Sequence, residues 1–211
     1  MCSHYEAPTA EQLGLAFTTE PFVQGRLDLW PGYIGPFIRR ANEANDEGEF
    51  VPRVEVLQGS FGLIPGWSKD TKIARRTYNA RSETAAEKPS FRNAWKHAQH
   101  CIIPAAAIFE PDWRSGKAIA TRISRTDGEP MGIAGLWESW KNASGDILFS
   151  YSMLTINADD HAFMRNYHRA EDEKRMVVIL PKGLYHDWLS APAEESMKFM
   201  RQYPADRLTA H

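Results

Sequence analysis

Cysteine is scarce: Cys2 and Cys101 are the only two in 211 residues. That excludes a disulfide-stapled scaffold and fits a reducing compartment, so a cytoplasmic protein is expected. Long apolar runs are missing. None approaches the roughly eighteen residues that a membrane-spanning helix needs, and no membrane partner is expected. The opening Met1-Cys2-Ser3-His4-Tyr5-Glu6 lacks a basic stretch followed by an apolar one, so no signal peptide is expected. An excess of positive charge is also lacking. The net charge of −2 argues against a bulk electrostatic nucleic-acid binder but leaves room for a local basic groove. The motifs G-x-x-x-x-G-K-[ST], G-x-G-x-x-G, H-E-x-x-H and G-x-S-x-G are absent. His97, His100 and Cys101 lie close together, but a structural zinc site needs four ligands and no second pair has suitable spacing. No metal and no organic cofactor are expected, and Cys101, inside an apolar run, reads as core.

What is present points to a globular chain. Hydrophobic residues at 43% and charged residues at 25% suit one domain over 1–211, large enough to bury a core. Residues 1–50 read as loop-rich, punctuated by Pro21, Pro31, Gly32, Gly35 and Pro36, with a polar turn over 43–49. Apolar, strand-like runs follow at 54–57, 61–64, 101–109, 118–123, 131–140, 147–156 and 176–180. Ser115-Gly116, Asp127-Gly128 and Ser144-Gly145 read as hairpin turns. Helices are expected from a Ser90 cap to Gln99, from Asp159 or Asp160 through Tyr167, and from about Ala193. The expected fold is α+β: one domain around a mostly antiparallel, barrel-like sheet with a few flanking helices. A monomer is expected. Within 69–100, eight basic residues face three acidic ones, against a negative total for the chain. Such a window is either a solvated face or the wall of a groove.

Position 2 carries particular chemistry. A small second residue permits removal of the initiator methionine, leaving Cys2 with a free α-amine and a thiol on adjacent carbons. Their reference pKa values, about 7.7–8.0 and about 8.5, leave both partly nucleophilic at neutral pH. A 1,2-aminothiol condenses with an aldehyde to an imine, and the thiol then closes a stable thiazolidine ring. The expectation is an exposed, bifunctional chain end. An N-terminal nucleophile of this kind can also serve a thiol protease or a self-cleaving enzyme.

The middle of the chain sharpens this reading. Phe61-Gly62-Leu63-Ile64-Pro65-Gly66-Trp67 is followed by Asn79-Ala80-Arg81-Ser82-Glu83-Thr84, Lys88-Pro89-Ser90-Phe91, Cys101-Ile102-Ile103-Pro104 and Phe109-Glu110. Ala134-Gly135-Leu136-Trp137-Glu138 comes next, then Thr155, Met164, His168, Arg175 and Met176. This order resembles the SRAP family, the SOS-response-associated peptidases or abasic-site processing proteins, over nearly the whole chain. The resemblance implies an SRAP-like fold and an abasic-site sensor in DNA-damage repair. It would bind single-stranded DNA and form a covalent thiazolidine crosslink through Cys2 after Met1 removal, a step of self-processing peptidase character. It implies a cytoplasmic protein, nucleoid-associated when on DNA. By position, Cys2 is the nucleophile, and Asn79 holds the Cys2 amine or the sugar. Glu110 moves protons, and His168 is the general acid/base. Arg81, Trp67, Lys69, Arg75, Arg76, Thr155 and His4 are the implied DNA contacts.

The residue types agree with those roles. Burial beneath Ile108, Phe109 and Trp113 would raise the Glu110 carboxyl, suiting it to shuttle protons. Histidine titrates near neutrality. Arginine grips phosphate, and aromatic faces stack unpaired bases. Simpler readings stand beside them. Glu110 can be a strand-end acid, Asn79 a turn residue, and Arg81 a surface partner of Glu83 or Glu87. His161 rivals His168, and Trp137 and Trp140 read as core. The chain departs from the family pattern in Ser3 and His4 for Gly-Arg, in Phe61 for Trp and in Pro111 for an aromatic residue. Six residues, 169–174, stand between His168 and Arg175 where the pattern has one. A thiol peptidase acting on other peptides and a non-catalytic single-strand binder remain the alternatives.

Overall fold

The computed structural model describes residues 2–17, 23–41 and 54–211. In chain order these form β1 (Tyr5–Glu6), α1 (Ala10–Phe17), β2 (Asp28–Leu29), β3 (Ile34–Arg40) and β4 (Val54–Phe61). Then come β5 (Asn79–Arg81), α2 (Ser82–Ala85), α3 (Arg92–Lys96), β6 (His100–Ala105), β7 (Ala107–Asp112) and β8 (Ile119–Arg125). The remainder is β9 (Met131–Lys141), β10 (Ile147–Asn157), β11 (Arg175–Val177), β12 (Ile179–Leu180), α4 (Tyr185–Ser190) and β13 (Leu208–Ala210). Short 3-10 turns fill several connections, among them Thr71–Arg76 and Met164–Asn166.

Strands β4, β3, β6, β9 and β10 are hydrogen-bonded in that order, and β10 returns to β4, so the ladder closes into a five-stranded barrel. Every pairing around it is antiparallel except β4–β10, which is parallel. Phe37, Phe61, Ile103, Leu136 and Tyr151 are fully buried in the core. Burying each large apolar side chain contributes about 1.5–3 kcal/mol. A second, antiparallel sheet runs β13-β8-β7-β1-β2. The fold is thus α+β with few helices, as the sequence pattern suggests. No helix among the described residues is long and apolar enough to cross a membrane.

Local expectations divide. Ser115-Gly116 joins the paired β7 and β8, and Ser144-Gly145 joins β9 and β10. Asp127-Gly128 forms no hairpin: it carries the chain from β8, which pairs with β7 and β13, to β9 in the barrel. The helix expected from Ser90 shrinks to α3, with Phe91 at its start and no side-chain cap. The helix expected from Asp159 or Asp160 is only a 3-10 turn. Asp159 accepts instead from the Lys174 N–H, while His161 Nδ1 accepts from the N–H groups of Phe163 and Met164. The segment from Ala193 is likewise a 3-10 helix, Ala193–Phe199. Pro21 and the polar turn over 43–49 lie outside the described residues. The stretch read as loop-rich holds β3 and α1. A capping box marks α1: Thr9 Oγ1 accepts from Gln12 N–H at 3.2 Å, and Gln12 Oε1 from Thr9 N–H at 3.0 Å.

Candidate active site

Strand β7 organises the site. One of its edges is taken by β8 across Ile108–Asp112, down to the pair Asp112↔Ile119. Its other edge is shared. β1 pairs at Tyr5↔Ile108 and Glu6↔Ala107, and Phe109 N–H donates to His4 O at 3.0 Å. Farther along, Asp112 bridges to Tyr167, and His168 N–H donates to Pro111 O at 2.8 Å. A short interval opposite Glu110 remains, and the chain's beginning and the 167–168 segment close on it from opposite ends. Asn79 is the first residue of β5, which pairs in parallel with barrel strand β10 and puts it opposite Met153. Its Nδ2 donates to the Cys2 carbonyl at 2.6 Å.

The four residues therefore converge. His168 Nε2 lies 3.1 Å from Glu110 Oε2. His168 is also one of two non-glycine residues, among those described, with positive φ, at +66°. Left-handed backbone costs about 1–2 kcal/mol for a residue with a Cβ. The bridge at Tyr167 and the bond to Pro111 hold it there, with the imidazole against Glu110. His161, the rival, is buried elsewhere: Nε2 faces Tyr203 O at 2.7 Å, and Nδ1 caps a turn. Asn79 Oδ1 is buried and has no hydrogen-bond partner among the described residues.

Desolvation dominates the electrostatics. Burial pushes the Glu110 carboxyl up to about 7 and holds the His168 imidazole down at about 4. Both shifts favour the neutral forms. Burial, reinforced by the charge of Glu110, pushes the Cys2 thiol up to about 12. This corrects the expectation of an exposed, partly ionised thiol: the Cys2 side chain is 1% exposed, and its sulfur donates to His4 O at 3.3 Å. Tyr78 was missed in the sequence. Burial raises its phenol, with further contributions from the charges of Cys2 and Glu110. Its position directly before Asn79 is the only signal that could have found it. The site thus has a carboxyl that titrates near neutrality, a neutral imidazole, a protonated thiol and an open amide acceptor.

The sequence model of the family described as SOS response associated peptidase (SRAP) matches residues 1–211. The chain belongs to the SRAP family. Among its SRAP relatives, the Bacillus subtilis abasic site processing protein YoaM is 34% identical over 158 residues, covering 72% of this chain and 65% of YoaM. The Gallus gallus abasic site processing protein HMCES is 25% identical over 204 residues, covering 86% of this chain and 59% of HMCES. The chain therefore spans somewhat under two thirds of the length of these curated relatives. A Bordetella bronchiseptica protein of known crystal structure matches with a TM-score of 0.87 at 52% identity, over 99% of this chain and 98% of that one. A Bacteroides thetaiotaomicron protein shares the fold at a TM-score of 0.80 and 22% identity, over 100% of this chain and 91% of that one.

The remaining SRAP positions fall on different surfaces. The 62–67 loop seats the 3-10 turn Thr71–Arg76: Thr77 Oγ1 donates to Leu63 O at 2.6 Å, and Asp70 caps the turn by accepting from Lys72 N–H. That arrangement leaves Trp67, Lys69, Arg75 and Arg76 exposed, in the segment that leads into β5. Trp67 Nε1 donates to Pro89 O at 3.1 Å, which anchors an indole that stays largely exposed. Arg81, half-exposed, pairs with Glu173 at 2.7 Å rather than with Glu83 or Glu87. Two positions differ from the expected DNA-facing set. Thr155 is buried, and its hydroxyl accepts from Arg175 Nη2 at 3.2 Å, so it holds that arginine in place. The His4 ring is sandwiched between Trp30 and Phe109, at 4.0 Å on each side, with Nε2 turned to Asp28. His100 is fully engaged inside the fold, between Trp188 O and Ser196 Oγ. Among the described residues no three His, Cys, Asp or Glu are grouped to hold a metal.

Proposed function

We propose that this SRAP protein captures abasic sites in single-stranded DNA by forming a thiazolidine through Cys2. One observation carries the reading: Cys2, Asn79, Glu110 and His168, scattered over the sequence, meet at one point. Hydrolysis of the Met1–Cys2 amide frees the Cys2 amine. That amine adds to the open-chain sugar aldehyde, and water leaves to give an imine. The thiol then adds across the C=N bond, its sulfur bonding to carbon and its proton ending on nitrogen. The ring closes without any oxidant. A carboxyl that titrates near 7 suits both proton movements of the first step, from the ammonium and to the departing hydroxyl. The open Oδ1 of Asn79 suits an ammonium or a sugar hydroxyl. A thiol that must be protonated at rest fits this order of events, because ring closure delivers its proton within the same molecule.

The test is mass spectrometry after mixing the protein with a uracil-containing single strand treated with uracil glycosylase. The expected product is protein without Met1 joined to the strand with loss of one water. Cys2→Ala should form none. An adduct of equal yield from Cys2→Ala, or none from the native chain, would sink the proposal. Retained Met1 in the intact mass would favour the non-catalytic binder, and turnover of unrelated peptides would favour the thiol peptidase.

A further inference from the structure

Arg81 follows Asn79 by two residues, and its guanidinium is occupied in the free protein. Nη1 donates to Glu173 Oε2 at 2.7 Å. Glu173 is itself fixed: its Oε1 accepts from Arg175 Nη1 at 2.8 Å and from Asn157 Nδ2 at 3.2 Å. Arg175 is 97% buried by its 3% exposure and gripped by both oxygens of Glu83 at 2.9 Å. The next backbone N–H, that of Lys174, donates to Asp159 Oδ1 at 2.8 Å. The hydrogen bond from Arg175 holds the Glu173 carboxyl below the usual carboxylate range, so it is ionised at neutral pH. Glu173 belongs to 169–174, the six residues that stand where the family pattern has one. The longer segment thus lays a fixed negative charge on the cation assigned to DNA phosphate.

We propose that Glu173 is a built-in rival of the DNA phosphate at Arg81 and sets how tightly this protein takes a single strand. The inference rests on the reading of Arg81 as a phosphate contact. An exposed ion pair is weak and can be exchanged for a phosphate. Glu173 does not leave when it is displaced, because Arg175 and Asn157 keep it there. Its charge then faces the incoming phosphate across a short distance and opposes it. Strand binding is weakened, and tight capture is reserved for strands that make enough other contacts to prevail.

The experiment is fluorescence anisotropy with a labelled, undamaged single strand, which removes the covalent step from the readout. The native chain is compared with Glu173→Gln, Arg81→Gln, the double variant and Glu171→Gln. Glu171→Gln removes an exposed charge from the same segment and controls for its long-range effect. Glu173→Gln should bind on the order of five times more tightly at low salt. In the Arg81→Gln background the same change should give no more than the Glu171→Gln control. Glu173→Ala should match Glu173→Gln, which excludes capture of Arg81 by the new amide. Melting curves confirm that each variant is folded. Unchanged or weaker binding by folded Glu173→Gln, or a full gain without Arg81, overturns this inference and leaves abasic-site capture standing. Failure of the native chain to bind any single strand overturns the reading of the partner itself.

Discussion

In the folded chain Glu110 ionises near 7; unfolded, it returns to its ordinary value of about 4.3. Between those two pH values the unfolded state has lost a proton that the folded state keeps. Stability from this group therefore falls as pH rises through the window and levels off above about 7. His168 has the opposite slope. Its folded value of about 4 lies below the ordinary value of about 6.5, so its contribution is lost as pH falls through that range. Glu110→Gln removes only the first slope. The melting temperature of that variant, relative to the native chain, should climb between about pH 4 and pH 7. Its rate of adduct formation should drop on the order of a hundredfold. A melting difference flat with pH would show that the carboxyl is ionised throughout. At this scale the sequence is informative about residue type: Cys2, Asn79, Glu110 and His168 can each be picked out by chemistry and motif. Their titration is not legible, because desolvation belongs to neighbours that only the fold supplies. The raised thiol of Cys2 is the clearest case.

Among the elements, the 62–67 loop shows how one glycine can hold a surface in place. Gly62 has φ +117°, and a Cβ there would meet the Ala74 carbonyl oxygen at 2.0 Å. That carbonyl belongs to the turn carrying Arg75 and Arg76, so neither side can yield without unseating it. Gly62→Ala should destabilise the chain by about 3 kcal/mol or more, read from urea melts. A loss below about 1 kcal/mol would mean that the turn is free to move away. Apolar runs, such as those that form β9 and β10, are visible in the sequence. Strand β3 is not, because Gly35 and Pro36 read as loop. In the fold, Gly35 lets Leu29 and Tyr151 approach within 2.4 and 2.6 Å of where a Cβ would stand. The proline is tolerated because β3 is paired with β4 along its whole length but with β6 only at Ile38↔Ile102. Helix α1 was missed although Thr9 and Gln12 carry its capping box.

For the whole molecule, barrel closure could not be read from adjacent segments. It depends on the parallel pairing of β4 with β10, about ninety residues apart at Ser60↔Ser150. Charge distribution was more accessible: a basic window within an acidic chain is countable, though which residues face outward is not. Lys69, Arg75 and Arg76 are exposed, and Thr155 is not. If the window is the groove wall, each phosphate contact contributes about 0.7 to the slope of log affinity on log salt for a single strand. Arg75→Gln with Arg76→Gln should therefore flatten that slope by about 1.4. Arg201→Gln, an exposed charge near the C-terminus, should leave it unchanged. An unaltered slope in the double variant would move the DNA path elsewhere. The concealment of both sulfurs has one more consequence. Cys2 and Cys101 are at most 1% exposed, and burial raises both thiols. Peroxide attacks accessible thiolate, and here almost none is offered. An oxidative burst that strips bases from a genome would thus leave both sulfurs chemically intact, including the one proposed to trap the wreckage.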